Sequence, residues 1–360
     1  MTQRDSRYEN AKGEWKDSDW FATKRQLRYL RYLLYIMAPG SMTMDKKVVS
    51  YSQMSDFLSC RRKWLWRQAY RPLVQPDKLL IGSLFHKGLE GADLEHEARE
   101  LEATPEQLEL VKDMLAYFEE WKIHHPQPKI LEHELEFEVE LAPDVLLAGR
   151  VDAIGEYDGE MWVIEHKTCG TFASEESWLF SDQIPGYIIG ARKKTGEPIA
   201  GVMLYEHKRQ VPESHLRELK SGKLSLDVRQ QITAYRAEQD IWIRNNGADP
   251  TEDQREFLGK LRSQENENGD RWIRRTRIIK SEVELQSYRA RATKIAREMT
   301  KDDLEIYASP SRLCAGCIYR APCLAAETGG DAESILESEY RRMRANGIPP
   351  ELAEYREVNV

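Results

Sequence analysis

The chain has 360 residues, 53 Lys and Arg against 61 Asp and Glu, a formal net charge of −8 and 41% hydrophobic residues. That balance reads as soluble and globular, with one elaborated domain or two smaller ones. No apolar run approaches the roughly 18 residues needed to span a bilayer, no opening stretch reads as a signal peptide, and five cysteines in this length argue against a secreted disulfide scaffold and for a reducing cytoplasm.

Residues 1–43 interleave Trp20, Phe21, Leu27, Leu30, Leu34 and Met37 with Arg and Lys, which predicts an amphipathic helix ending near Pro39-Gly40. Ser52 reads as the N-cap of a helix carrying Phe57, Cys60, Trp64 and Ala69. Further helices are predicted over Ser83 to Arg99 and Pro105 to Trp121. Alternating apolar residues then predict strands over Leu135 to Leu141, Leu146 to Ile154 and Met161 to His166, with Tyr157-Asp158-Gly159 as a tight turn. A helix from Asp182 to Lys194 and a strand from Ala200 to Tyr205 follow. Residues 209–265 are polar and largely helical in pattern and read as an insertion or lid. A strand over Trp272 to Ile279 and a helix over Glu282 to Met299 precede a cysteine-rich stretch and a charged tail.

Glu165 and Lys167 lie two apart on a predicted strand and so face the same side. A hairpin to the preceding strand brings Asp152 beside them. Two carboxylates and a lysine suit Mg²⁺ or Mn²⁺, which prefer oxygen ligands, and such an ion lowers the pKa of a bound water and offsets phosphate charge. Asp…Glu-x-Lys alone is a weak signal, because the same residue types are common on solvated sheet faces.

The flanking residues sharpen it. Gly149-Arg150-Val151-Asp152-Ala153-Ile154, with Val163-Ile164-Glu165-His166-Lys167-Thr168, resembles the core of the PD-(D/E)XK nuclease superfamily. Gln183 and Tyr187, four apart on one helix face, resemble the QxxxY element of its RecB-like branch, and Gly82-Ser83-Leu84-Phe85-His86 resembles the motif that supplies a histidine ligand. The resemblance implies that His86, Asp152 and Glu165 coordinate the divalent ion, with the backbone carbonyl of His166 as an extra ligand. It makes Lys167 the catalytic lysine, and Gln183 and Tyr187 supports of the site or the substrate strand. Strand alternation points the His166 side chain away from Glu165 and Lys167.

Cys314-x₂-Cys317-x₅-Cys323 places three thiols in a short stretch, which predicts a metal site. Spacing leaves open whether Cys60 or Cys169 is the fourth ligand, and whether the site takes zinc or an iron–sulfur cluster. RecB-like nucleases with clusters, including CRISPR-adaptation exonucleases and AddB-type nucleases, place one cysteine before the nuclease motifs and three after. The resemblance therefore implies a structural [4Fe–4S] cluster on Cys60, Cys314, Cys317 and Cys323.

Basic residues interleave with aromatics over Arg61 to Arg67, and Arg271, Arg274, Arg275 and Arg277 form a second basic stretch. Both are candidate paths for single-stranded nucleic acid, which is held by phosphate neutralisation and base stacking. The expected architecture is an α/β PD-(D/E)XK core, a central mixed sheet flanked by helices, with an iron–sulfur module from the two ends. Its segments are 1–45, a helical extension; 46–208, the first part of the core; 209–268, the insertion; 269–326, the end of the core with the cysteine segment; and 327–360, the tail. The expected activity is metal-dependent exonucleolytic hydrolysis of DNA, on single strands or free ends. The alternatives are a DNA-end-binding scaffold that cuts little itself and an endonuclease of the same fold. No GxxxxGK[ST] loop occurs, so unwinding would fall to a helicase or adaptation-complex partner.

Overall fold

Between residues 129 and 169 the alternating pattern folds as a meander of three long strands, the centre of the larger of two compact units. The computed structural model describes residues 46–301 and 303–343. The helix expected within residues 1–43 and the end of the tail lie outside the described residues. Among those described, the larger unit comprises residues 46–59 and 74–305 and the smaller one residues 60–73 and 306–343.

The larger unit holds one six-stranded mixed sheet. Its strands are β1 (Lys47–Val49), β2 (Lys129–Ala142), β3 (Val145–Tyr157), β4 (Glu160–Cys169), β5 (Gly201–Lys208) and β6 (Ile273–Ile278). β3 runs antiparallel to β2 over its whole length and to β4 from Ala153 onward; β5 is parallel to β4 and antiparallel to β6. The short β1, absent from the sequence reading, pairs parallel with the start of β3 at Lys47–Val145. Since β2 occupies one edge of β3 throughout, β1 and β4 share the other. Between them, from Ala148 to Asp152, that edge has no strand partner among the described residues, and the sheet forks at Asp152.

The turn joining β3 to β4 has Asp158 at φ 53° and Gly159 at φ 78°. Two positive φ values match the twist of the flanking strands, and Asp-Gly adopts them at low cost.

Helices that support the sheet include α1 (Tyr51–Ser59), α2 (Asp77–Leu89), α3 (Pro105–His124), α4 (Gln183–Thr195) and α5 (Glu282–Met299). The single helix expected from Ser52 to Ala69 is two, because Cys60 takes an extended backbone (φ −169°, ψ 117°) between α1 and a helix over Arg61–Ala69. The cap is Ser50 rather than Ser52. Its hydroxyl accepts the Gln53 N–H at 3.3 Å while Gln53 Oε1 accepts the Ser50 N–H at 3.0 Å, a reciprocal capping box. The helix expected over Ser83 to Arg99 likewise divides at Gly91 (φ 77°) into α2 and a short helix over Leu94–Glu100.

α3 buries Tyr117, Phe118 and Trp121 against Ile164, Met203, Tyr205 and Trp272. Rings of this kind each remove about 150–250 Å² from water and dominate a core. α4 packs on β2 and β3, and the Phe137 ring fills the space where a Cβ at Gly149 or Gly190 would sit, 2.5 and 2.3 Å from ring atoms. The glycine of the Gly-Arg-Val-Asp stretch is thus a packing requirement. The insertion is not merely a solvated lid: helices over Ala234–Arg244 and Glu252–Asn268 close a core of their own around Ala237, Ile241, Phe257 and Leu258.

In the smaller unit, Tyr70–Pro72 pairs antiparallel with Tyr340–Arg342. A 3₁₀ turn over Arg312–Gly316 and helices over Arg320–Glu327 and Ala332–Glu339 complete it, so the segment after 327 carries a helix and a strand rather than tail alone. Trp66, Tyr319, Leu336 and Tyr340 form its core, with Cys317 and Cys323 packed against them.

Candidate active site

Asp152 is held from two sides at the fork. Its Oδ2 accepts the backbone N–H of His166 at 2.8 Å, and its Oδ1 lies 3.5 Å from Nδ1 of His86. His86 arrives on α2, which approaches β4 closely because Gly82 has no side chain; a Cβ there would stand 3.2 Å from Thr168 Oγ1.

Glu165 is only 2% exposed. Its Oε1 meets the Lys167 ammonium and lies 3.4 Å from both Gln183 Nε2 and the Tyr187 hydroxyl, which are bonded to each other at 2.6 Å. Its Oε2 is buried with no partner among the described residues. Burial pushes the Glu165 carboxyl up to about 7, against the pull of Lys167. For Lys167 burial works downward, but the Glu165 charge beside it wins and holds the ammonium above its usual range. Burial likewise raises the Tyr187 phenol, which stays protonated and able to donate.

An unsatisfied carboxylate oxygen near a second carboxylate and an imidazole is a donor set that suits a hard divalent cation. His86, Asp152 and Glu165 fit such an ion in chemistry, and coordination would satisfy Glu165 Oε2. The side chains are not gathered in advance: among the described residues, no three His, Cys, Asp or Glu groups stand close enough together to hold a metal.

The His166 ring lies on the other face of the sheet. Its Nδ1 is 2.9 Å from His207 Nε2, and it stacks on Tyr205 with Phe118 edge-on. Burial keeps both imidazoles neutral, with His207 lowered to about 3 and His166 well below its usual value. His166 therefore meets the site through its backbone. The His207 partner was missed in the sequence, where it sits between Glu206 and Lys208 just past the strand expected over Ala200 to Tyr205.

Glu206 was missed as well. The register sets it beside Lys167 on one side and Arg274 on the other, so a second buried carboxylate, 1% exposed, adjoins the lysine. Its Oε1 accepts the Ala173 N–H at 3.0 Å and its Oε2 the Arg274 Nε–H at 2.7 Å. Arg274 also donates to the Ala173 carbonyl, so the pair anchors the loop after β4. Of the expected basic path over 271–277, Arg277 is exposed beside the Tyr157 ring, and the other three arginines have partners within the fold. Arg274 is committed to Glu206, Arg275 to the Pro126 carbonyl and the Trp121 and Tyr205 rings, and Arg271 to Gln264.

Cys60, Cys314, Cys317 and Cys323 all belong to the smaller unit, whereas Cys169 ends β4 in the larger one. Three of the four sulfurs receive an N–H. Ser309 and Ser311 donate to Cys60 and Cys314 at 3.4 Å, and Arg62 donates to Cys323 at 3.6 Å. In the basic and aromatic helix, Trp66 is a core residue and Arg62 pairs with Glu327 at 2.6 Å, so these two are structural.

The family profile of the PD-(D/E)XK nuclease superfamily matches residues 48–324. The chain belongs to that superfamily. The matched span covers the PD-(D/E)XK sheet, its fork and every candidate residue from Cys60 to Cys323. No curated protein matches the chain significantly. Among solved structures, a candidate exonuclease from Eubacterium rectale is similar at 13% identity and a TM-score of 0.42, covering 75% of this chain and 87% of that one. The protein SSO0001 is similar at 13% identity and a TM-score of 0.23, covering 52% and 75%. No helix among the described residues is long and apolar enough to cross a membrane.

Proposed function

We propose that this PD-(D/E)XK protein is a RecB-like, Mg²⁺- or Mn²⁺-dependent deoxyribonuclease that hydrolyses phosphodiesters from DNA ends, with single strands preferred. The observation that carries the reading is Glu165: a buried carboxylate, one oxygen bonded to Lys167 and the other without a partner among the described residues, on the strand beside Asp152. His86, Asp152, Glu165 and the His166 carbonyl would hold the ion. When bound, the ion activates water and offsets phosphate charge. Lys167, held charged by Glu165, steadies negative charge developing on the phosphate. Gln183 and Tyr187 fix the Glu165 oxygen that Lys167 shares.

The reading includes a structural [4Fe–4S] cluster on Cys60, Cys314, Cys317 and Cys323. The presence of all four in one unit supports it, and N–H groups donate to three of the sulfurs, the kind of bond that tunes the potential of a cluster.

The test is digestion of single and double strands labelled at either end, with Mg²⁺ and with Mn²⁺, by wild type and Lys167→Ala. Progressive loss of one terminal label by wild type alone is expected. Equal activity in the two proteins would remove Lys167 from catalysis, and cutting of closed circular strands would make the enzyme an endonuclease.

A further inference from the structure

Three charged side chains lie abreast across the sheet on the face that carries Glu165. The register sets Lys167 of β4 beside Glu206 of β5, and Glu206 opposite Arg274 of β6. Their chain neighbours His166, Tyr205 and His207 gather on the other face, as strand alternation requires. Glu165, two residues before Lys167, meets its ammonium. The order Glu165, Lys167, Glu206, Arg274 therefore alternates in sign.

Lys167 thus has a carboxylate along its own strand and another in the next strand, and it pairs with the first. Both oxygens of the second are engaged elsewhere. Glu206 Oε1 accepts the Ala173 N–H at 3.0 Å, and Oε2 accepts the Arg274 Nε–H at 2.7 Å. Glu206 is 1% exposed, so water is not at hand to replace a lost partner. A buried carboxylate deprived of its cation takes up a proton or draws in another cation. Lys208, the next cation along β5, is placed over the Phe172 ring at 4.6 Å. Lys167 stands one strand away, about 4.8 Å across the sheet, on a flexible four-carbon stem.

We propose that Arg274 and Glu206 are positioning residues for Lys167: Arg274 occupies the Glu206 carboxylate, and the lysine therefore stays with Glu165 instead of crossing to Glu206. The inference rests on the nuclease reading and deepens it. A lysine drawn one strand across leaves the place from which it steadies charge on the phosphate. Arg274 then serves cleavage without touching the nucleic acid.

The test uses the full chain with Mn²⁺ and an end-labelled single strand, below the unfolding temperature of each variant. Arg274→Gln should lower kcat at least about tenfold with KM unchanged, short of the 10²–10³-fold of losing a preorganised group outright. Adding Glu206→Gln to it should bring kcat back to within about threefold of wild type, a coupling that the double-mutant cycle isolates. An arginine that only anchors the loop at Ala173 would not be rescued by removing its partner. Arg274→Lys keeps the charge and should keep kcat; it carries the test if Arg274→Gln does not fold. A raised KM at constant kcat, a double variant no better than Arg274→Gln, or an inactive Arg274→Lys overturns the proposal. A crystal structure of Arg274→Gln reads the same point without cleavage. Lys167 within about 4 Å of the Glu206 carboxylate supports the proposal, and Lys167 still on Glu165 overturns it. If wild type cuts no strand, the nuclease reading fails, and that structure still decides where the lysine goes.

Discussion

The backbone N–H of His166 donates to Asp152 Oδ2 at 2.8 Å, and this bond spans the fork just where the β3–β4 ladder stops at Ala153–Ile164. Asp152 is thus both a strut of the sheet and a candidate ligand, and the two roles separate by substitution. Asp152→Asn keeps an oxygen acceptor for His166 but loses the charge. Cleavage should fall about 10²–10³-fold, the scale of losing one preorganised electrostatic group, while the unfolding temperature stays close to wild type. Asp152→Ala loses both and should also melt earlier. Near-normal cleavage by Asp152→Asn would remove this carboxylate from the chemistry.

Glu165 ties stability to pH and metal. Its carboxyl sits at about 7 in the fold against an ordinary 4.5, so the ionised form is the one that burial penalises. A raised acid contributes stability that is complete below the unfolded value and lost as pH rises through 7, a difference on the order of 3 kcal/mol. A divalent cation takes the ionised carboxylate and displaces the proton, which reverses the sign. In EDTA, Glu165→Gln should therefore be more stable than wild type at pH 8, with the advantage vanishing toward pH 5. On adding Mn²⁺, wild type should gain more unfolding temperature than the variant, and more at pH 8 than at pH 6. An identical metal-induced shift in both proteins would contradict this assignment.

The site was legible where local pattern decides geometry. Alternation put Glu165 and Lys167 on one face, Asp158-Gly159 marked the hairpin, and the four-residue spacing aimed Gln183 and Tyr187 together. What escaped depends on pairing between distant segments. β1 has three residues, too few to show a period, and the fork at Asp152 exists only because β1 and β4 divide one edge of β3. Glu206 lies just past the end of the strand expected over Ala200 to Tyr205, and only the register sets it between Lys167 and Arg274. Cys60 interrupts a helix without a glycine or proline to signal it, since the aromatic pattern runs through both halves. The core of the insertion was hidden by the polar residues around it.

Arg274 and Glu206 give a prediction opposite to the one that a surface arginine would. Glu206 is 1% exposed, and Arg274 is its cationic partner. Removing one side of a buried pair strands the other charge, which costs about 3–5 kcal/mol. Arg274→Ala should lower the unfolding temperature markedly and loosen the loop around Ala173, with earlier proteolysis there. Glu206→Gln keeps a hydrogen-bonding side chain and should be milder. If Arg274→Ala instead weakens DNA binding with full stability, the arginine belongs to the nucleic-acid path after all.

The cysteines make the last prediction, because the unit that holds each of them predicts which thiol is dispensable. Protein purified without oxygen should be brown, carry about four irons per chain, and bleach on reduction. Cys60→Ser, Cys314→Ser, Cys317→Ser and Cys323→Ser should each lose iron and colour. Cys169 lies in the other unit, at the end of β4. Cys169→Ser should therefore keep both iron and colour. Limited proteolysis should then cut the 306–343 segment sooner in the four ligand variants than in Cys169→Ser, since a cluster joins Cys60 to residues more than 250 positions along the chain. A colourless wild-type protein holding about one zinc per chain would replace the cluster with a tetrahedral thiolate site, and loss of iron in Cys169→Ser alone would overturn the ligand set.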